Sequence, residues 1–108
     1  MYVRCAHFIG TVAPQNRARF DSFIDAECAP IIATFPNLRS FRILRGRWYE
    51  EGAPDIYMTI ELTFDAPADI DAMLASEARA KNVAKMKEIM PLFEGRVFHI
   101  NHEVGPRG

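Results

Sequence analysis

The sequence is notable first for what it lacks. It has no apolar run of the roughly 18–20 residues that a membrane-spanning helix needs, and its N-terminus reads as a strand rather than as a signal peptide. A net charge of −1 over 108 residues gives no reason to expect nucleic acid or an anionic membrane as a partner. Only two cysteines occur, Cys5 and Cys28, without CxxC spacing. We therefore expect reduced thiols in a cytoplasmic protein.

Cofactor motifs are also missing. There is no glycine-rich phosphate loop and no Gly-x-Ser-x-Gly elbow, which argues against nucleotide cofactors and serine hydrolase chemistry. His99 and His102 are three residues apart, which on a strand directs them to opposite faces, so they cannot bind one ion together. The sequence therefore predicts no metal site and no cofactor.

Hydrophobic residues make up 49% of the chain and charged residues 25%. This composition is typical of a globular protein, and the length suits one domain over residues 1–108. Residues 56–64 alternate strictly between apolar and other side chains, which predicts an antiparallel strand with one dry face. Further strands are predicted at 2–12, 40–49 and 96–104, where strand-forming residues predominate.

Two helical regions separate these strands. The first has apolar residues at 20, 23, 24, 28 and 31, the spacing of one helix face. Pro30 lies inside it and removes a backbone donor, so we expect the helix to bend near Cys28. The start signal of the second helix is Asp65, with Pro67 two residues on, and the helix is predicted to be interrupted near Ser76 and to end at Pro91 and Gly95.

The resulting order, β-α-β-β-α-β, predicts an α+β ferredoxin-like fold: a four-stranded antiparallel sheet with both helices on one face. The other face would carry the polar side chains of the third strand. Large aromatic residues elsewhere in the strands suggest that a second copy covers this face, and a homodimer is therefore expected.

Several segments resemble the EthD-like family of dimeric α+β barrel proteins. The similarity is carried by Phe20-x3-Ile24-x3-Cys28-x-Pro30-Ile31, by residues 35–41, 60–65 and 73–78, and by Glu103. The resemblance implies a homodimeric α+β barrel with a small-molecule pocket in each protomer, between sheet and helices. Two positions depart from the pattern: Cys28 replaces the family's histidine, and Asn37 replaces the glycine of its Pro-Gly-Leu turn. The first departure puts an acid–base role at that position in doubt.

Four residues are candidates for catalysis. His7 and His99 lie in apolar strands, where either is a satisfied or interfacial histidine or a general base; the two meet only if their strand parities agree. Tyr57 and Glu61 are predicted to share the polar face of the third strand, either as an interface pair or as groups that orient a carbonyl substrate.

Four further residues are candidates for substrate binding. Phe20 and Cys28 belong to the first helix, and Cys28 is either a small buried hydrophobe or a contact to the substrate. Arg45 belongs to a set of arginines on the second strand, solvated or paired with Glu50 and Glu51, of which one could bind a carboxylate. Trp48 is expected to cap the pocket or the dimer edge.

The leading hypothesis is a cofactor-independent enzyme that performs proton transfer, as an isomerase, cyclase or decarboxylase, on a small apolar oxygenated molecule of catabolism or secondary metabolism. A non-catalytic ligand-binding dimer is the main alternative. A monooxygenase-type member of the same superfamily is a further alternative, and a haem-dependent member would need an axial histidine in a roomy pocket. The fold alone does not choose among them.

Overall fold

The computed structural model describes residues 1–108. Its main elements are β1 Tyr2–Val12, α1 Arg17–Phe23, α2 Ala29–Ile32, β2 Ser40–Arg45, β3 Ile56–Phe64, α3 Pro67–Leu74, α4 Glu77–Met86 and β4 Phe93–Glu103. Short 3-10 turns cover Pro14–Asn16 and Met90–Leu92, and a π-helical turn covers Ile24–Cys28. No helix has the length and apolar character required to cross a bilayer.

The four strands form one antiparallel sheet in the order β2-β3-β1-β4. This arrangement confirms the predicted ferredoxin-like fold. Because side chains alternate along a strand, the register sorts the residues into two faces. Ala6 and Phe8 lie on the face that the helices cover, together with Ile60, while Cys5 and His7 lie on the face that no element covers. We call the second one the bare face.

The core lies between the sheet and the helices. Sixteen buried apolar residues form a single cluster there. Phe20, Ile24, Met58 and Phe64 are among its members with no exposed surface. Phe20 lies against Phe93 of β4, with ring centroids 6.3 Å apart. Burial of these apolar side chains is the main favourable contribution to the free energy of folding.

The predicted bend in the first helix is confirmed. Pro30 has no N–H to offer to Ala26, and the chain widens locally into the π-helical turn between α1 and α2. Ala29 donates its N–H to the carbonyl of Ile24, five residues earlier. Such turns accommodate a proline or an extra residue within a helix. The widened turn directs Cys28 into the core, where it has no exposed surface.

The interruption near Ser76 is confirmed as well. The Ser76 hydroxyl caps α4 by accepting a hydrogen bond from the N–H of Arg79 at 3.1 Å. Side-chain oxygens at this position satisfy a backbone donor that would otherwise be unpaired at the start of a helix.

Two predicted boundaries are wrong. β2 ends at Arg45 rather than at Tyr49. Gly95 does not end the second helix but lies in β4 at φ 150°, directly opposite Gly10 of β1. A side chain on Gly95 would collide with the carbonyl oxygen of Ile9. Glycine is therefore required by the close approach of two strands, and not by a helix end.

A β-bulge corrects the predicted position of Tyr57. Phe8 pairs with Met58 but Ile9 pairs with Ile56, so Tyr57 is an extra residue in β3. A bulge turns its side chain relative to the regular alternation. Tyr57 consequently packs on the helix side, against Phe20. Uninterrupted alternation had predicted that Tyr57 and Glu61 share a face, and this prediction is wrong.

Candidate functional site

An apolar cavity of about 270 Å³ lies between the sheet and the helices. Twelve of its 17 lining residues are hydrophobic. The sheet side includes Ala6, Phe8, Ile60, Leu62 and Val97, and the helix side includes Met73, Leu74, Val83, Met86 and Met90. Small-molecule pockets have volumes of roughly 300–1,000 Å³, so this cavity is at the small end of that range and suits a compact ligand.

Three basic residues, Arg4, Arg79 and Lys87, line this cavity and give it a positive charge. Arg4 of β1 and Arg79 of α4 both line it, and neither forms a salt bridge. Arg4 donates one hydrogen bond, to the Oδ1 of Asn101 at 3.0 Å. Burial, and then the charge of Arg79, lower the pKa of Arg4. An uncompensated pair of guanidinium groups at an apolar cavity favours an anionic ligand group.

His99 lines the same cavity, next to these arginines. It pairs with Ala6 across the sheet, on the helix-facing side. Its pKa is lowered, first by burial and then by the charges of Arg4 and Arg79 and by His7. The imidazole is therefore neutral near pH 7, which is the form that can accept a proton as a general base.

Asn82 adds an unsatisfied acceptor. Its Oδ1 is buried and has no hydrogen-bond partner in the structure, and the residue lines the cavity from α4. Buried side-chain oxygens are normally paired, and an exception calls for a specific explanation. A hydroxyl or other donor on a bound ligand would provide the missing hydrogen bond.

His7 lies on the opposite side of the sheet. Its Nδ1 is 3.2 Å from the Oγ1 of Thr59, and its ring lies 5.3 Å from that of Phe98, which is its cross-strand partner. His7 and His99 therefore lie on opposite faces of the sheet, and the two residues do not meet. Glu61 also lies on the bare face, where it accepts a hydrogen bond from Arg42 at 2.6 Å.

Tyr57 and Phe20 belong to the core beside α1, and neither lines the apolar cavity. Their rings meet edge to face at 5.6 Å. The hydroxyl of Tyr57 donates to the Oδ1 of Asp21 at 2.8 Å. Burial, and then this hydrogen bond to Asp21, raise the pKa of Tyr57 to about 12, so the phenol stays protonated. Tyr57 opens instead onto a polar cleft that includes Arg47 and Asp55.

The sequence suggested that Arg45 pairs with Glu50 or Glu51, but its partners in the structure are Asp21 and Asp25. Its Nη2 donates to the Oδ1 of Asp25 at 2.7 Å, and its Nε lies 3.4 Å from the Oδ1 of Asp21. The π-helical turn brings Asp25 over β2. This pairing holds the helix to the sheet and leaves Arg45 outside the apolar cavity.

Trp48 does not cap any cavity within this chain, because 94% of its surface is exposed. It lies beyond the end of β2, in the segment that precedes β3. The predicted alternative, a position at the dimer edge, remains a prediction.

Cys28 lies directly behind the cavity wall. Its Sγ is 3.3 Å from the Sδ of Met86, which lines the cavity. Burial is the main reason that the pKa of Cys28 is raised to about 11. The thiol is therefore protonated at neutral pH and poorly suited to act as a nucleophile. Cys28 itself is not among the residues that line the cavity.

A second cluster, of metal-binding type, lies on the bare face. The Sγ of Cys5 and one ring nitrogen each of His7 and His102 lie within 4.8 Å of one another. Reasoning from the sequence compared His102 only with His99 and missed this cluster. The available signal was the alternation of Cys5 and His7 along β1, which puts both on one face.

The cavity residues Arg4, Arg79 and Asn82 were also missed. Arg4 is an even number of residues from Ala6 and Phe8, so its side chain lies on the same face of the sheet as theirs. This alternation was the only sequence signal that Arg4 faces the helices. The other two lie on α4, where the alternation of charged and apolar residues resembles that of any solvent-exposed helix.

The sheet order, the helices on one face and the cavity between them define a ferredoxin-like α+β protein. No protein-family model matches the sequence. No curated protein matches it significantly. Solved structures do share its fold.

An ethyl tert-butyl ether d (EthD) family protein from Bacillus halodurans has a TM-score of 0.73 and 18% identity, over 97% of this chain and 100% of that one. SnoaB, a cofactor-independent oxygenase from Streptomyces nogalater, has a TM-score of 0.67 and 17% identity over 98% and 94%. A dimeric protein of unknown function and ferredoxin-like fold from Bacteroides fragilis has a TM-score of 0.66 and 14% identity over 95% of each chain. The resemblance to EthD-like proteins is thus supported at the level of the fold.

Proposed function

We propose that this chain is a one-domain, EthD-like dimeric α+β barrel protein that binds a small, largely apolar acid and catalyses proton transfer on it. The observation that carries this proposal is the combination of Arg4, Arg79 and a neutral His99 in one apolar cavity. The aliphatic and methionine side chains would hold the ligand's apolar body. The two guanidinium groups would bind its carboxylate or an enolate that forms during the reaction.

His99 is the proposed base. Of the two histidines considered from the sequence, it is the one that lines this cavity. Removal of a proton next to a carbonyl group creates negative charge on oxygen, and nearby arginines stabilise that charge. The Oδ1 of Asn82 would accept a hydrogen bond from a ligand hydroxyl and fix its orientation.

The structural neighbours support chemistry without a cofactor on this fold, because SnoaB is described as a cofactor-independent oxygenase. Isomerisation, cyclisation and decarboxylation all begin with or depend on an enolate-like species. The geometry of the cavity supports that shared step, and the substrate determines which reaction follows.

We also propose a homodimer in which the bare faces pair. Leu44 and Ile100, at 40% and 41% exposure, lie on that face by register, as does the ring of Phe98. Exposed apolar side chains on one sheet face favour a partner. The dimeric neighbour of ferredoxin-like fold is consistent with this arrangement. Sedimentation equilibrium at micromolar concentration should give twice the chain mass of 12.3 kDa, and a stable monomer would contradict it.

Hydrogen–deuterium exchange tests the catalytic proposal without knowledge of the final product. A panel of small aromatic and alicyclic keto acids is incubated in D₂O with the protein, and loss of the α-proton signal is followed by NMR. At least one acid should exchange faster with the wild-type chain than without protein. His99→Gln should abolish this acceleration, because it removes the base while keeping a similar size.

Lys81→Gln is the control. It removes a charge from the exposed side of α4, away from the cavity, and should leave the exchange rate unchanged. Acceleration that survives His99→Gln would overturn the assignment of the base. Binding of the acids without exchange in any case would contradict catalysis and support the ligand-binding alternative.

A further inference from the structure

We propose that Cys5, His7 and His102 form a binding site for a transition-metal ion of the Zn²⁺ type on the bare face of the sheet. Their ligand atoms lie within 4.8 Å of one another. In a tetrahedral zinc site, typical bond lengths put sulfur and nitrogen ligand atoms roughly 3.5 Å apart. Small rotations of the two imidazoles would therefore complete the geometry without movement of the strands.

Sheet pairing alone does not place His102 next to His7. His102 pairs with Val3, four residues from His7 along β1, which corresponds to roughly 13 Å along the strand. Both imidazole rings therefore lean toward Cys5 from opposite sides. One thiol between two ring nitrogens is a ligand set that Zn²⁺, Co²⁺ and Cu²⁺ bind well.

The surroundings are suitable for a metal. The Nδ1 of His7 lies 3.2 Å from the hydroxyl of Thr59, and a hydrogen bond there would orient the ring and leave Nε2 free for an ion. Phe98 and Ile100 lie beside the cluster on the same face. Three protein ligands leave a fourth position open, as in catalytic zinc sites.

This inference does not rest on the proposed function or on dimerisation, since all three ligands come from one chain. Binding would replace the thiol proton by the metal: Cys5–SH and M²⁺ give Cys5–S–M⁺ and one H⁺, with no change of oxidation state. The site would be separate from the apolar cavity, which lies on the other side of the sheet.

Cobalt titration of the purified full chain tests the site. We expect one equivalent of Co²⁺ per chain, with a thiolate-to-cobalt charge-transfer band and the visible absorption of tetrahedral Co²⁺, and displacement of the cobalt by Zn²⁺. Cys5→Ser should remove the charge-transfer band, and His102→Gln, which removes a ligand, should lower the affinity by more than the roughly 10–100-fold that loss of an outer-shell partner costs.

Matched controls use the remaining cysteine and histidine, which face away from the cluster: Cys28→Ala and His99→Gln should retain the full cobalt spectrum. A second readout needs no variant. In NMR spectra of the wild-type chain, Zn²⁺ should shift the imidazole signals of His7 and His102 much more than that of His99. No binding at micromolar metal, or binding that persists in Cys5→Ser and His102→Gln, would overturn the proposal.

Discussion

The positive charge of the cavity gives the most direct prediction. Arg79→Gln keeps much of the side-chain length but removes one of two guanidinium groups that have no acidic partner in this structure. A hydrogen bond that involves a charged group contributes about 1.5–3 kcal/mol, which corresponds to roughly 10–150-fold in Kd. We expect the affinity for an apolar anion to fall within that range.

Two fluorescent probes separate charge from apolar contact. Anilinonaphthalene sulfonate carries an anionic group, and phenylnaphthylamine has nearly the same rings without it. Both should bind in the cavity and gain fluorescence. Arg79→Gln should weaken binding of the sulfonate by the predicted factor while changing the Kd of the neutral probe less than about twofold. Lys81→Gln, which removes a charge from the same helix outside the cavity, should change neither Kd.

The result that would refute this reasoning is equally specific. If Arg79→Gln weakens both probes equally, the residue acts by shaping the cavity and not by its charge. If neither Kd changes, the probes bind elsewhere or the charge is screened by solvent. The Kd of the sulfonate can also be measured at higher salt concentration. It should rise only slightly if the sulfonate binds in the cavity, because interactions in a partly buried site are screened less than those on the surface.

Other predictions concern stability and titration. Phe20→Ala should lower the free energy of unfolding in urea by about 3–5 kcal/mol, because it leaves a cavity in the core, whereas Trp48→Ala should change it by less than about 0.5 kcal/mol. Gly95→Ala should lower the urea midpoint strongly, since its φ of 150° and the adjacent strand backbone exclude a side chain. Burial raises the pKa of the Cys28 thiol from its ordinary 9.0 to about 11 in the folded chain, so the free energy of unfolding should decline as pH rises through that window, and Cys28→Ala should reduce the decline. For His99, whose folded pKa is lowered, NMR should show titration below the ordinary 6.5, and its contribution to stability should be lost as pH falls from 6.5 toward that lower value.

The fold was predictable because several independent signals agree. The strand predicted at residues 56–64 has the same bounds as β3, and the order of elements leaves few topologies open. Pro30 and Ser76 are local signals whose effects are confirmed, because a missing donor and a capping hydroxyl act within one helical turn. Boundaries were less predictable where glycine has a tertiary role. Gly95 reads as a helix end, but its requirement comes from Gly10, on another strand.

The site was harder to predict, because its residues come from separate elements. Arg4, Arg79 and His99 are far apart in the sequence, and only the sheet register and the packing of α4 bring them to one cavity. Tyr57 was misplaced because the bulge beside it depends on how β1 and β3 pair, and a single strand's alternation contains no information about that pairing.

The alternation of side chains along β1 explains how so short a chain can place the proposed base site and the proposed metal site on opposite faces of one sheet. Arg4 and Cys5 are neighbours in sequence, yet one lines the cavity and the other belongs to the cluster on the bare face. β4 repeats the pattern with His99 and His102, whose odd separation directs them to opposite faces. The odd separation that keeps His99 and His102 from binding one metal ion together therefore also assigns each of them to its own surface. Substitutions on the two faces should be close to additive where the residues share no partner and lie more than about 7–10 Å apart.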